Sequence, residues 1–121
     1  MTEKLFSSEI RIMELLWKNG EMSAKDIASS LGESIGWSKT TTYTVIKKCV
    51  EKGAVIRSEP GFICKAAVSK EEVQQTEAFD LVDRLFDGSA DLLVSALIGS
   101  GKISSEQIKS LRELVKSMEE K

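Results

Sequence analysis

The sequence contains no histidine, only one proline and only two cysteines. Without histidine it has no imidazole for general acid–base catalysis and none of the usual zinc-ligand spacings, so we expect no metal and no cofactor. Cys49 and Cys64 are too few for a disulfide framework, which favours a reducing cytoplasm. No apolar run approaches the ~20 residues that span a bilayer, and residues 1–11 lack the apolar core of a signal peptide, so we expect no membrane association.

An enzyme is the function class that the sequence supports least. It has no glycine-rich phosphate loop, and no nucleophile lies beside a base in the local sequence. The 121 residues are 41% apolar and 30% charged, which is typical of a folded chain of about one domain. These features favour a binding protein over a catalyst.

Charge is divided unevenly along the chain, whose net charge is −2. Residues 1–70 carry 11 lysines and arginines against 8 acidic residues, whereas residues 71–121 carry 6 against 11. Residues 37–57 alone carry five basic residues and one acidic residue. Because salt screens charges beyond about 8–10 Å, a nearby polyanion responds to this local excess and not to the net charge.

Helical periodicity and capping residues predict three helices in the first half of the chain. The first helix has an apolar stripe formed by Phe6, Ile10, Met13, Leu16 and Trp17. The third helix buries Val45, Ile46, Cys49 and Val50. The predicted starts are Ser7 or Ser8, Ser23 and Ser38, and the predicted ends are Gly20, Gly32 and Lys52-Gly53.

Two short strands are predicted to follow, at residues 54–57 and 62–66. Between them, Glu59-Pro60-Gly61 has the proline and glycine order of a type II turn. The resulting fold is mainly α with a small β-hairpin. The order of three helices and a hairpin predicts a winged helix-turn-helix domain over residues 1–70.

The third helix carries threonines and lysines opposite its apolar stripe. Consecutive threonines are poor helix formers, so residues 40–42 indicate selection for contacts and not for stability alone. A DNA major groove about 12 Å wide admits one helix, whose threonines can contact phosphates or bases while Lys39, Lys47 and Lys48 neutralise phosphates. Tyr43 lies between the two faces, and both a phosphate contact and half-buried packing stay open. A solvated surface is the competing interpretation of the whole face.

Residues 71–121 are predicted to form a three-helix dimerisation domain. Ser69 and Ser104 open its first and last helices through capping boxes. Three helices in about 50 residues rarely build an adequate core alone, so we expect pairing with a second copy. Folding back onto the same chain is the alternative. The predicted dimer contacts are Leu81, Leu85, Phe86, Leu93, Leu97, Ile108, Leu111, Val115 and Met118.

Several segments in the same order resemble the penicillinase-repressor family of bacterial regulators. Residues 8–17, SEIRIMELLW, resemble the family's first helix. Trp37-Ser38 followed by residues 41–44, TTYT, resembles its recognition segment. Further similar segments are residues 47–53, residues 85–94 and the final helix over residues 104–115.

This resemblance implies a homodimeric transcriptional repressor that binds a palindromic DNA operator through the third helix. An upstream sensor or protease stays open as a further partner. The residues placed against DNA are Ser38, Thr40, Thr41, Tyr43 and Thr44, with Lys39, Lys47 and Lys48 alongside and Arg57 on the wing or its strand. The alternative is a winged-helix module that binds another protein, which the acidic second half favours.

The sequence also departs from the family's pattern. Thr42 stands at a usually aliphatic position, Lys48 replaces an arginine, Cys49 a leucine and Ala66 a tyrosine, and Gly61-Phe62 stands where Gly-Arg is common. Members released by proteolysis are cut at an Asn-Phe bond, which corresponds here to Ala96 and Leu97. Copper-sensing members carry a C-terminal cysteine cluster that is missing here. The signal that inactivates the repressor therefore stays open.

Overall fold

The computed structural model describes residues 3–120, which form helices and one small antiparallel sheet. In chain order the elements are α1 (Ser7–Asn19), β1 (Met22–Ser23), α2 (Ala24–Ile35), α3 (Lys39–Glu51), β2 (Val55–Ser58), β3 (Ile63–Ala66), α4 (Lys70–Leu85), α5 (Ala90–Gly99) and α6 (Ser105–Glu119). The strand order is β1–β3–β2. Three helices followed by a hairpin, as predicted, give the winged helix-turn-helix arrangement.

Serine side chains cap four of the five predicted helix starts. The hydroxyl oxygens of Ser23, Ser38, Ser69 and Ser104 each accept a hydrogen bond at 3.1 Å from the backbone N–H three residues later. This bond satisfies one of the four N–H groups that a helix leaves without a partner at its start. Residues 59–62 form a turn between β2 and β3 as predicted, and in this turn Gly61 has a positive φ of +91°, the Glu59-Pro60 peptide bond is cis and Phe62 also has a positive φ of +48°.

The start of α1 differs from the prediction. Neither Ser7 nor Ser8 caps it, and instead the Glu9 carboxylate accepts the N–H of Phe6 at 2.7 Å. The buried stripe agrees with the prediction only in part. Met13 and Leu16 are buried as predicted, whereas Phe6 is 61% exposed and the buried positions include Glu9 and Ile12.

Two further details were not predicted. Helix α2 continues through Gly32 to Ile35 and ends at Gly36, whose φ of +74° is the left-handed conformation that commonly ends helices. Strand β1 was missed because two residues are too short to show an alternating pattern. It pairs with β3, with Met22 opposite Cys64 and Ser23 opposite Ile63.

The chain divides into two compact units, residues 1–78 and 79–121. The first unit contains the core, which is formed by α1, α2, α3, the sheet and Val73 from the start of α4. In the second unit, neither α5 nor α6 contains a buried residue within the described chain. No helix within residues 3–120 is long and apolar enough to cross a membrane.

Candidate nucleic-acid interface

The candidate site is the outer face of α3. Its inner face buries Thr42, Val45, Ile46 and Cys49, which fixes the rotation of the helix about its own axis. The predicted site residues on the outer face are all exposed except Tyr43, which is half-buried; they are Ser38, Lys39, Thr40, Thr41, Thr44, Lys47 and Lys48. Five of them line one shallow depression, namely Lys39, Thr40, Tyr43, Thr44 and Lys47.

The hydroxyl groups on this face differ in which hydrogen-bond donors and acceptors remain unused by the protein itself. Ser38 accepts the N–H of Thr41 and donates to the Thr41 hydroxyl oxygen at 2.9 Å, so its proton is used inside the helix cap. Thr44 donates to the carbonyl oxygen of Thr40 at 2.9 Å. Thr44 therefore presents acceptor lone pairs and a methyl group outward, while the proton of Thr41 is left to donate.

Thr42 belongs to the core and not to the outer face. It is fully buried, and its hydroxyl donates to the carbonyl oxygen of Ser38 at 3.2 Å. The family that the sequence resembles usually has an aliphatic residue at this position. Threonine fits here because its buried hydroxyl has a hydrogen-bond partner within the same helix turn.

An aromatic contact joins α3 to the hairpin. The rings of Tyr43 and Phe62 meet edge to face, with 5.8 Å between centroids and 83° between planes. The ammonium of Lys39 lies 5.8 Å from the Tyr43 ring, and the guanidinium carbon of Arg57 lies 3.6 Å above the Phe62 ring. Tyr43 is half-buried against the core, and no other described residue hydrogen-bonds to its hydroxyl, so packing is present and the phosphate contact stays a prediction.

Arg57 is exposed on β2 and paired with a carboxylate. Its Nε and Nη2 atoms donate to Oε1 of Glu59 at 2.9 and 2.6 Å. The other carboxylate oxygen, Oε2, accepts the N–H of Phe62 at 2.9 Å. The Phe62 N–H and then the Arg57 guanidinium hold the pKa of the Glu59 carboxyl below its usual value, so Glu59 stays ionised.

Lys52 does not add to the cationic outer face. Its ammonium contacts the buried Glu9 carboxylate at 2.7 Å, donates to the carbonyl oxygen of Lys4 at 2.9 Å and lies 4.1 Å from the Phe6 ring. Of the five basic residues counted in residues 37–57, Lys52 is therefore internal and Arg57 is paired. The basic character of the face comes from Lys39, Lys47 and Lys48.

Both cysteines lie in the core. Burial is the main cause that raises the pKa of the Cys49 thiol to about 12, and the nearby Glu9 charge adds to it. Burial likewise raises the pKa of Cys64. No group of three or more cysteine or acidic side chains within the described chain is placed to hold a metal ion.

The second unit carries the predicted dimer contacts. Among them, Leu85, Leu97, Val115 and Met118 are exposed, and Leu81, Phe86, Leu93, Ile108 and Leu111 are half-buried. The structure brings three of the nine, Ile108, Leu111 and Val115, into one apolar groove between α5 and α6. The groove also includes Val94 and Ile98 of α5, which were not among the predicted contacts.

Sequence reasoning missed Glu59 and Phe62 as part of the site. The sequence indicates Glu59 only as a turn residue, and Phe62 only as the start of a strand and a departure from the family's Gly-Arg. The available signal was the short spacing of two opposite charges, Arg57 in β2 and Glu59 in the turn that follows it.

Comparison with known proteins adds an independent observation. Residues 5–117 match the family model described as penicillinase repressor. The penicillinase repressor of Bacillus licheniformis is 18% identical over 114 residues, covering 93% of this chain and 89% of that protein. The methicillin resistance regulatory protein MecI of Staphylococcus aureus (strain N315) is 22% identical over 116 residues, covering 94% of each.

Solved structures agree on the fold of the first unit. The solution structure of monomeric Bacillus licheniformis BlaI in complex with the blaP half-operator superposes with a TM-score of 0.53 and 19% identity. The superposition covers 60% of this chain and 90% of that one. At this identity the likeness supports the fold of the first unit only.

Proposed function

The chain belongs to the penicillinase repressor family, and from this premise we propose that it is a homodimeric transcriptional repressor that binds a palindromic DNA operator through α3. The observation that carries the proposal is the outer face of α3, where exposed threonines alternate with Lys39, Lys47 and Lys48 on a helix that the core holds in place. A winged-helix relative solved with a half-operator, BlaI, supports the same use of this fold.

The groups on α3 divide into two roles. Lys39, Lys47 and Lys48 neutralise phosphates, which gives affinity without sequence preference. Thr44 contacts a base edge, where its lone pairs accept from an adenine or cytosine amino group, or its methyl group packs on a thymine methyl. Thr41 retains a hydroxyl proton and donates it to a phosphate, because phosphate oxygens are acceptors only.

The second unit supplies the dimer contact. Its helices α5 and α6 bury no side chain within the described chain and leave large apolar residues exposed, including Leu97, Ile98 and Met118. A second copy that covers this surface removes it from water. Two copies then present two α3 helices to two half-sites about one helical turn apart, which accounts for a palindromic operator.

The experiment that tests the proposal is a selection of genomic DNA fragments by the purified protein at two salt concentrations. The proposal expects one palindromic sequence to be enriched, with a log–log salt slope of about −0.9 for each phosphate contact. A Lys109→Ala variant is the control for loss of one positive charge. Because Lys109 is exposed on α6 and outside the α3 face, this variant should enrich the same sequence with the same salt slope as wild type. If neither salt concentration enriches any sequence, the proposal fails and a protein-binding module becomes the better explanation.

A further inference from the structure

Glu59 is fastened at both of its carboxylate oxygens. Oε1 accepts two hydrogen bonds from Arg57, and Oε2 accepts the N–H of Phe62. The Phe62 ring lies below the guanidinium at 3.6 Å, so the guanidinium has an aromatic ring on one face and a carboxylate at one edge.

The edge of Arg57 that Glu59 occupies is one that suits a phosphate. A guanidinium binds an oxyanion through two neighbouring N–H groups, and the Nε–Nη2 edge supplies such a pair. Glu59 takes that edge with a carboxylate, which carries the same unit charge as a DNA phosphodiester. A phosphate that approaches Arg57 from this side therefore competes with a group of the protein itself.

We propose that Glu59 is an intramolecular competitor of DNA phosphate for Arg57, and that it lowers the affinity of this repressor for every duplex. The inference rests on the proposed function, because it concerns how strongly the same surface holds DNA. Arg57 and Glu59 are 48% and 55% exposed, and an ion pair with that exposure is weak. Glu59 therefore attenuates the contribution of Arg57 and does not abolish it.

The expected gain in DNA affinity follows from counterion release. One additional full phosphate contact changes the log–log salt slope by about −0.9, which at 0.15 M salt corresponds to roughly a five-fold gain in affinity. Because Arg57 keeps part of its contact when Glu59 is present, we expect Glu59→Gln to tighten binding about two- to five-fold. The gain applies to operator and random duplexes alike, since a phosphate contact carries no sequence information.

The test is a double-mutant cycle, measured by fluorescence anisotropy on one operator duplex and one random duplex. Glu59→Gln keeps an amide oxygen that accepts the Phe62 N–H, so the hairpin turn retains its hydrogen bond while the charge is lost. The same substitution is then made in the Arg57→Gln background. Glu33→Gln is the matched control, because Glu33 is an exposed carboxylate of α2 in the same unit.

Three results separate the possibilities. The proposal expects a two- to five-fold gain from Glu59→Gln, a steeper salt slope, and loss of the gain when Arg57 is also replaced. A gain that persists without Arg57, or that Glu33→Gln matches, overturns the proposal in favour of a general charge effect. If the wild-type protein binds its operator and Glu59→Gln gives no gain or a loss of affinity, the proposal alone is overturned. If the wild-type protein binds no DNA, the proposed function is overturned as well.

A second variant, together with a check of the fold, tests whether a misfolded hairpin causes the change in affinity. Glu59→Ala removes both interactions, and the proposal expects it to tighten binding as Glu59→Gln does. Thermal unfolding and the NMR signals of the Tyr43 and Phe62 rings check that their edge-to-face contact is kept. Opposite effects of the two variants on affinity contradict the proposal.

Discussion

Replacement of Lys52 by methionine should destabilise the first unit severely. Lys52 closes a pair with Glu9, whose side chain is fully buried and whose Oε2 atom has no hydrogen-bond partner among the described residues. Methionine fills a similar volume but leaves the Glu9 carboxylate with the Phe6 N–H alone. An unpaired buried carboxylate is far more costly than the lost attraction between two exposed charges.

The expected magnitude follows from this burial. Removal of one partner from a buried ion pair costs about 3–5 kcal/mol, whereas an exposed pair contributes about 0–1 kcal/mol. The Lys52 side chain is only 18% exposed and that of Glu9 is 0% exposed, so the larger figure applies. For a chain of this size the loss corresponds to a fall in Tm on the order of 10–20 °C.

Urea and thermal unfolding followed by circular dichroism measure the effect. The matched control is Lys47→Met, the same substitution on the outer face of α3, the helix that Lys52 follows, which should change stability by less than about 0.5 kcal/mol. The double variant Glu9→Gln, Lys52→Met removes the charge while an amide oxygen still accepts the Phe6 N–H, so it should recover most of the loss. A Lys52→Met protein within about 1 kcal/mol of wild type would refute the reasoning.

Two further predictions concern the apolar groove and the buried thiol. For the proposed dimer, Leu111→Asp should give a monomer in light scattering, because it places an unpaired charge in the groove of α5 and α6, whereas Ser110→Asp on the same helix should leave the mass unchanged. A dimer mass that Leu111→Asp does not change would contradict the proposed interface. Cys49 should not react with a thiol reagent at pH 8 in the folded protein, because a pKa of about 12 leaves roughly one thiolate in ten thousand molecules, and should react after unfolding. Rapid labelling of native Cys49 would show that the core opens there.

Much of the fold could be predicted from the sequence because its signals are local. Ser23, Ser38 and Ser104 each stand three residues before the N–H that they accept, and such spacing is visible without any structure. The apolar stripe of α3 likewise places its outer face by periodicity alone. The exposed positions of the predicted threonines and lysines follow directly from that stripe.

The missed features depend on residues far apart in sequence or on very short elements. Glu9 and Lys52 are 43 residues apart, so nothing local marks Glu9 as buried. Strand β1 exists only because β3 pairs with it. The contact of Phe62 with Tyr43 depends on how the hairpin packs on α3, which the pattern of neither segment reveals.

The role of α3 is tested most directly by the base preference of a Thr44→Ala variant, measured by selection from randomised duplexes beside wild type and Lys48→Ala. Thr44→Ala should relax the preference by about 1–3 kcal/mol at one position in each half-site, placed symmetrically about the centre of the palindrome. Lys48→Ala should weaken binding to all sequences alike and flatten the salt slope by about 0.9. An unchanged base preference for Thr44→Ala would contradict the claim that this face of α3 reads the operator.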